Sequence, residues 1–299
     1  VLQVENLAVG YGDTLVLQDI NLQLRPSSIL ALAGHNGAGK TTLLQAMMGI
    51  TQPKAGRVLY GGRDVFNDDI SRREMFFVPD DPYIMPFGSI ARLGKYYAAY
   101  YPRFSFKLLE KLAGLINISP QMHISRMSKG MKRQVAIMVG IATQAKVLLL
   151  DELFDGLDPM MRKLICSLTL ELISQQGTSI AVSSHNLREL YELCDRVVII
   201  KNKGIVYETD MDRIAEQWHM FHVFFEKALV PEDLAVLQCR DLRMSDGEAV
   251  FVTHLPEEEV RTLLVKLGAV QISARPLTLE ELFLQQMEVQ SHDFQGWFA

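Results

Sequence analysis

The sequence predicts an α/β protein: a mixed-sheet core that carries an antiparallel β segment and a helical insertion, followed by a small α+β domain. Three observations lead there. Apolar runs at Val147 to Leu150, Ser179 to Ser183 and Arg196 to Lys201 alternate with helical spacing at Met160 to Gln175 and Leu187 to Cys194, the order of a parallel sheet covered by helices. The first 24 residues instead alternate apolar and polar, as antiparallel strands do. After about Asp210 the elements shorten and change order, marking a second unit. At 299 residues, 48% hydrophobic and 22% charged, the chain is long and apolar enough for both units to bury a core, which excludes wholesale disorder and collagen-like order.

In chain order, Val4, Leu7, Val9, Leu15, Leu17, Ile20, Leu22 and Leu24 set the alternation around a Tyr11-Gly12-Asp13 turn. Ile29 to Ala33 is a short apolar strand that meets a glycine-rich loop, then a helix from Lys40 to Met48 closed by Gly49. From about residue 83 to 144 the pattern is helical: Ile90 to Tyr101 stops before Pro102, Phe106 to Ile116 repeats apolars at i, i+3, i+4, and Ser128 suits the N-cap of a helix to Thr143. The second unit reads as a strand at His222 to Phe225, a helix at Pro231 to Leu237, a hairpin turning at Asp246-Gly247, a helix at Pro256 to Leu267, a strand at Val270 to Ala274 and a helix at Thr278 to Met287. The expected division is therefore 1–210, 211–290 and a frayed tail at 291–299.

Charge and cysteine content narrow the function classes. Thirty Lys+Arg against 35 Asp+Glu, net −5, supply no basic field for nucleic acid, so no nucleic-acid partner is expected. Cys166, Cys194 and Cys239 are odd in number and widely spaced, against a disulfide framework or structural zinc and in favour of a reducing cytosol. No apolar run approaches the roughly 20 residues of a membrane-spanning helix, and no charged-then-apolar leader opens the chain.

Gly34-His35-Asn36-Gly37-Ala38-Gly39-Lys40-Thr41-Thr42 satisfies G-x-x-x-x-G-K-[ST] between a strand and a helix. Glycines let successive N–H groups turn toward phosphate oxygens, and the helix N-terminus adds positive partial charge. This assigns Asn36, Gly37, Ala38, Gly39, Lys40, Thr41 and Thr42 to a nucleotide's phosphates, with Lys40 on the β and γ groups and the Thr41 hydroxyl on Mg²⁺. Val147-Leu148-Leu149-Leu150-Asp151-Glu152 delivers two carboxylates at a strand's C-terminal end, where open α/β sheets bind ligands. Asp151 is then expected in the magnesium shell, and Glu152 as the group that orients or deprotonates the attacking water.

With these motifs in order, residues 1–210 resemble the P-loop NTPase cassette of an ATP-binding cassette (ABC) transporter. Met127-Ser128-Lys129-Gly130-Met131 resembles that family's Leu-Ser-Gly-Gly-Gln signature, Asp155-Gly156-Leu157-Asp158 its D-loop, Ser183-Ser184-His185 its switch histidine, and Tyr11 its adenine-stacking aromatic. The resemblance implies ATP and Mg²⁺ as cofactors and ATP hydrolysis as the reaction. It also implies a dimer, in which Ser128 and Gly130 meet the γ phosphate held by the opposite subunit and Asp158 joins the composite site. His185 is implied as a γ-phosphate donor. A separate transmembrane permease is implied, with this subunit on the cytoplasmic face of the membrane and the permease docking near Asp80 to Phe87, through Tyr83, Ile84, Met85 and Phe87.

Two departures stand out. Asp80, after Phe76-Phe77-Val78-Pro79, replaces a glutamine that links magnesium to the membrane partner, so Asp80 is expected at the metal's water shell. The signature has Lys129 for Gly and Met131 for Gln. The Ser-Lys-Gly-Met and Pro-Asp variants resemble the branch serving multidrug, lantibiotic or bacitracin-type exporters of Gram-positive bacteria. A weakly hydrolysing ABC scaffold and a small-molecule P-loop kinase are the alternatives; the kinase shares Lys40 and Thr41 but has no use for Glu152 or the signature helix. For the second unit a dimer-holding or regulatory role and a passive lid are both open. His219 and His222, read at a helix end, lack a third ligand for a metal. Tyr96, Tyr97, Tyr100 and Tyr101, and methionines such as Met47, Met48, Met160 and Met161, are assigned to packing.

Overall fold

The computed structural model describes residues 2–82, 88–227 and 229–287, in two compact units, Val1–Glu208 and Thr209–Ala299. In the first, β1 (Leu2–Tyr11) and β2 (Thr14–Leu24) form the expected hairpin and bury Leu7, Val9, Leu17 and Ile20 on one face. Their register shifts where Asn6 and Asp19 take positive φ, each adding a residue to its strand. β3 (Ile29–Ala33) leads through the glycine-rich loop into α1 (Lys40–Met47). β4 (Ala55–Tyr60), β5 (Arg63–Asp64), α2 (Asp69–Arg73) and β6 (Met75–Val78) follow; the sequence reading did not place these, because the strands are short and punctuated by Gly56, Gly61 and Gly62 at positive φ.

Three capped helices come next: α3 (Ile90–Ala98), α4 (Phe106–Leu115) and α5 (Lys129–Ala142), with Ser89, Ser105 and Ser128 hydroxyls accepting from first-turn N–H groups. β7 (Val147–Leu150), α6 (Pro159–Gln176), β8 (Ser179–Ser183), α7 (Leu187–Leu193), β9 (Arg196–Lys201) and β10 (Gly204–Asp210) complete the alternation. Asp158 caps α6 at its start, and Gly177 ends it at φ 63. The core sheet runs β10-β9-β3-β8-β7-β6, with β9, β3, β8, β7 and β6 parallel; β2-β1-β4-β5 form a separate antiparallel sheet. The fold is thus the mixed-sheet α/β class expected. β3, β7 and β8 are buried throughout, the mark of strands covered on both faces.

The second unit begins with α8 (Met211–Gln217) and β11 (His219–Phe225) and continues with β12 (Arg240–Ser245), β13 (Glu248–Thr253), α9 (Glu257–Lys266), β14 (Ala269–Pro276) and α10 (Leu279–Met287). Its sheet order is β12-β13-β11-β14, all antiparallel, a split β-α-β arrangement. Phe221 and Phe251 stack at 5.5 Å in its core with Leu234, Val260 and Leu264. Pro231–Leu237 is a 3-10 helix rather than an α-helix, closed by i to i+3 bonds and ended by Gln238 in the left-handed region.

Three packing expectations need correction or division. His219 and His222 lie on β11, not at a helix end; three apart on a strand, they face opposite sides, and His222 pairs with Glu248 at 2.5 Å. Tyr97 and Tyr101 pack on Phe76 of β6 at 5.3 and 5.5 Å, but Tyr96 and Tyr100 are exposed. Met47 is buried, whereas Met160 stands in the exposed first turn of α6 and fills no core. Among the described residues no helix is long and apolar enough to cross a membrane.

Candidate nucleotide site

Four parallel neighbours, β3, β8, β7 and β6, end side by side, and each contributes to one cavity of about 560 Å³. After β3, Gly37 and Gly39 take φ of 81° and 104°; a Cβ on Gly39 would stand 2.8 Å from Leu17 Cδ2, so this turn requires glycine. Gly39 caps α1 without a side chain, leaving the first-turn N–H groups for an anion. Asn36, Gly37, Gly39, Lys40, Thr41 and Thr42 line the cavity. Ala38 does not: it is buried in the core, and its N–H donates to His35 O at 3.1 Å.

Lys40 is buried, donates to Gly34 O at 2.8 Å and His35 O at 3.3 Å, and stands 3.5 Å from Glu152 Oε1. Past β7, Asp151 is buried: its Oδ2 accepts from Thr41 Oγ1 at 2.7 Å and its Oδ1 from Ser183 Oγ at 2.5 Å. Glu152 takes φ 47°, outside the usual range for a non-glycine residue, and its N–H donates to Ser183 Oγ at 2.8 Å. Its Oε2 accepts from the His185 N–H at 3.2 Å and lies 2.8 Å from His185 Nδ1. Lys40, Thr41, Asp151, Glu152 and His185 are therefore brought together, Thr41 and Asp151 across 110 residues of chain. The paired hydroxyl and carboxylate of Thr41 and Asp151 are hard oxygen donors of the kind Mg²⁺ takes.

Tyr11, Ser128, Gly130 and Asp158 do not line that cavity. Tyr11 is exposed, with its hydroxyl donating to Gln45 Oε1 at 3.1 Å. The Ser128 hydroxyl caps α5 through Met131 N–H at 3.2 Å, and a Cβ on Gly130 would meet Gly156 O at 3.4 Å. Asp158 caps α6 at 2.9 and 3.0 Å, while Asp155 of the same loop lines the cavity. Asp80 lines the cavity too, but its Oδ1 accepts from Arg133 Nη1 at 2.9 Å. The sequence reading missed Val16 and Arg133, and named Asp155 and Ser183 within motifs without giving either a role in the site. Ser183 had a usable signal, as the last residue of a buried strand ahead of His185; Arg133, between Lys132 and Gln134 in the polar first half of α5, had none.

Comparison with known proteins decides the family. Residues 17–155 match the family described as ABC transporter. The chain is 24% identical over 288 residues to the ABC transporter ATP-binding protein YtrB of Bacillus subtilis (strain 168), covering 95% of this chain and 97% of that one. It is 30% identical over 295 residues to the uncharacterized ABC transporter ATP-binding protein MJ1023 of Methanocaldococcus jannaschii, covering 95% and 98%. The chain belongs to the ABC transporter ATP-binding family.

As an ABC ATP-binding subunit it is an ATPase, and the expected function holds at that level. The dimeric post-hydrolysis structure of the ATP-binding cassette MJ0796, bound to ADP and Pi, shares the fold with a TM-score of 0.64 at 18% identity, over 71% of this chain and 99% of that one. Relatives of this ABC subunit are named for opposite directions. A Nod factor export ATP-binding protein of Rhizobium etli is 26% identical over 95% of this chain and 92% of its own length. A sulfate/thiosulfate import ATP-binding protein of Synechocystis is 30% identical over 68% and 58%. Membership of the ABC family therefore leaves the direction of transport open.

Proposed function

We propose that two copies of this subunit close head to tail over two ATP·Mg²⁺, each ATP held by Lys40, Thr41 and the glycine-rich loop of one copy and by Ser128 and Gly130 of the other. The observation that carries the reading is the convergence of Lys40, Thr41, Glu152 and His185 on one cavity, with Asp151 buried directly behind Thr41. Lys40 and His185 contact the Glu152 carboxylate, and the γ phosphate would compete for both donors, freeing Glu152 to take a proton from water. Thr41 and Asp151 would hold Mg²⁺, which supplies charge neutralisation between the β and γ phosphates. Tyr11, open at the end of β1, would stack on adenine.

Ser128 and Gly130 do not line their own chain's cavity, which favours a role across a dimer. Light scattering tests this: the Glu152→Gln chain is expected to double its mass on adding ATP and Mg²⁺. The Glu152→Gln, Ser128→Arg double variant is expected to bind ATP and remain a monomer. A mass unchanged by ATP in both sinks the sandwich.

The partner that turns closure into transport is proposed to be a separate membrane subunit, placing this chain at the membrane's cytoplasmic face. The anchors expected at Tyr83, Ile84, Met85 and Phe87 lie outside the described residues. A cavity of about 400 Å³ lined by Arg72, Arg73, Tyr96, Tyr97, Tyr100 and Tyr101 is proposed to receive a short helix of that subunit. Aromatic and arginine side chains dominate it, as they do the centres of protein interfaces. In the assembled transporter a cysteine at Tyr100 is expected to cross-link to the membrane subunit, and one at Leu170 on α6 is not; the reverse pattern would move the docking site.

A further inference from the structure

We infer that Arg133 is a positioning residue for hydrolysis, and that Asp80 acts through it: the Asp80–Arg133 pair holds the backbone of Glu152 instead of serving the metal. The inference rests on the reading of Glu152 as the carboxylate that handles the attacking water.

Arg133 lies in the second turn of α5 and is 3% exposed. Its guanidinium gathers acceptors from two strand ends. Nη1 donates to the Asp80 carbonyl and, at 2.9 Å, to Asp80 Oδ1 beyond β6; Nη2 donates to Asp151 O at 2.7 Å and to the Glu152 carbonyl beyond β7. Nε is buried without a partner, so this group is held by its fork rather than by full satisfaction. A guanidinium taken out of water requires a counter-charge, and Asp80 supplies one.

The consequence falls on Glu152. A non-glycine residue at positive φ is costly unless its surroundings over-determine it. Here Ser183 Oγ accepts the Glu152 N–H at 2.8 Å and Arg133 Nη2 takes the Glu152 carbonyl, so the peptide groups on both sides are pinned. That pinning aims the carboxylate at Lys40 and His185. Asp80 stands where the sequence reading expected a ligand to the metal's water shell, yet an oxygen of its carboxylate is committed to the guanidinium. Lys cannot replace this arrangement, because one ammonium does not span acceptors that a planar fork reaches in two directions.

The test uses the purified full chain with Asp80→Asn, Arg133→Gln, and both together. Each single variant is expected to lower kcat by about 10- to 100-fold, the loss that follows a misplaced catalytic group. The KM for ATP should stay within about twofold, as it does when an interaction specific to the transition state is removed. The double variant should be no slower than Arg133→Gln, since both changes break one chain of contacts. Asp80→Glu should recover most of kcat and Arg133→Lys little. The Mg²⁺ concentration giving half-maximal binding of a fluorescent ATP analogue should be the same in all. A Mg²⁺ requirement raised by Asp80→Asn and not by Arg133→Gln overturns the inference, as do losses that multiply in the double variant. Should Arg133→Gln fail to melt cooperatively, Asp80→Asn decides alone, its side chain being half exposed. Hydrolysis surviving Glu152→Gln defeats the underlying reading, whereas a dead Glu152→Gln beside a fully active Asp80→Asn defeats only the pair.

Discussion

Glu152→Gln is expected to slow ATP hydrolysis by about 100- to 10,000-fold, the range a positioned general base contributes, while ATP affinity holds or tightens. The substitution keeps the side chain's shape and removes its charge. Lys40, 3.5 Å from Oε1, and His185, 2.8 Å from Oε2, lose an anionic partner and become more available to a phosphate. Ground-state binding therefore gains while the proton acceptor is lost. Steady-state phosphate release and equilibrium nucleotide binding, measured on one preparation, separate the two effects. A loss below about tenfold, roughly 1.4 kcal/mol, would mean that Glu152 only orients water and that the base lies elsewhere. Aspartate at 152 is not a neutral control, because its shorter reach would pull the carboxylate from both donors.

Lys40→Ala is expected to weaken ATP binding by about 30- to 1000-fold, equivalent to about 2–4 kcal/mol for the charge-assisted hydrogen bonds it removes. Lys40 is 5% exposed and its Nζ is already held by two loop carbonyls, so it is preorganised and little ordering remains when phosphate arrives. Removing it also leaves Glu152, itself largely buried, with one fewer cation in a cavity that Asp80, Asp155 and Glu152 make acidic. Both changes oppose a polyanion. Lys40→Arg should not rescue, since a planar guanidinium does not fit the pocket that Gly34 O and His35 O form around a compact ammonium. Titration with a fluorescent ATP analogue provides the check; affinity within about threefold of the parent, less than 1 kcal/mol, would remove Lys40 from the phosphate site.

Much of this is legible in the sequence alone. The glycine-rich loop, the Ser128 and Asp158 caps, the buried strands β3, β7, β8 and β9 and the hairpin turn at Gly12 each depend on residues within a few positions of one another. Local torsional preference, capping and burial periodicity decide such features, and all are written in short windows of sequence. Residues 51–78 were opaque for the converse reason: β5 has two residues, and Gly56, Gly61 and Gly62 at positive φ break up β4 and the turn after it, so no period registers. The helix expected at Pro231–Leu237 is present with those bounds, but its 3-10 form was not legible, because a seven-residue apolar repeat does not distinguish closure at i+3 from closure at i+4.

The sequence by itself determined the chemistry available: an anion-binding loop, a lysine, two adjacent carboxylates at a strand end, a histidine at another, and a family. The tertiary structure alone decided which of these meet. Thr41 and Asp151 are bonded across 110 residues because β8 lies between β3 and β7, and strand order is set by packing of whole elements rather than by any local pattern. The same ordering brings β6 beside β7, so that Arg133, reaching from a helix, can touch Asp80 and Glu152 at once. Asp80 looked like a candidate metal-site carboxylate in the sequence; a buried guanidinium, whose desolvation demands a counter-charge, makes it half of an ion pair.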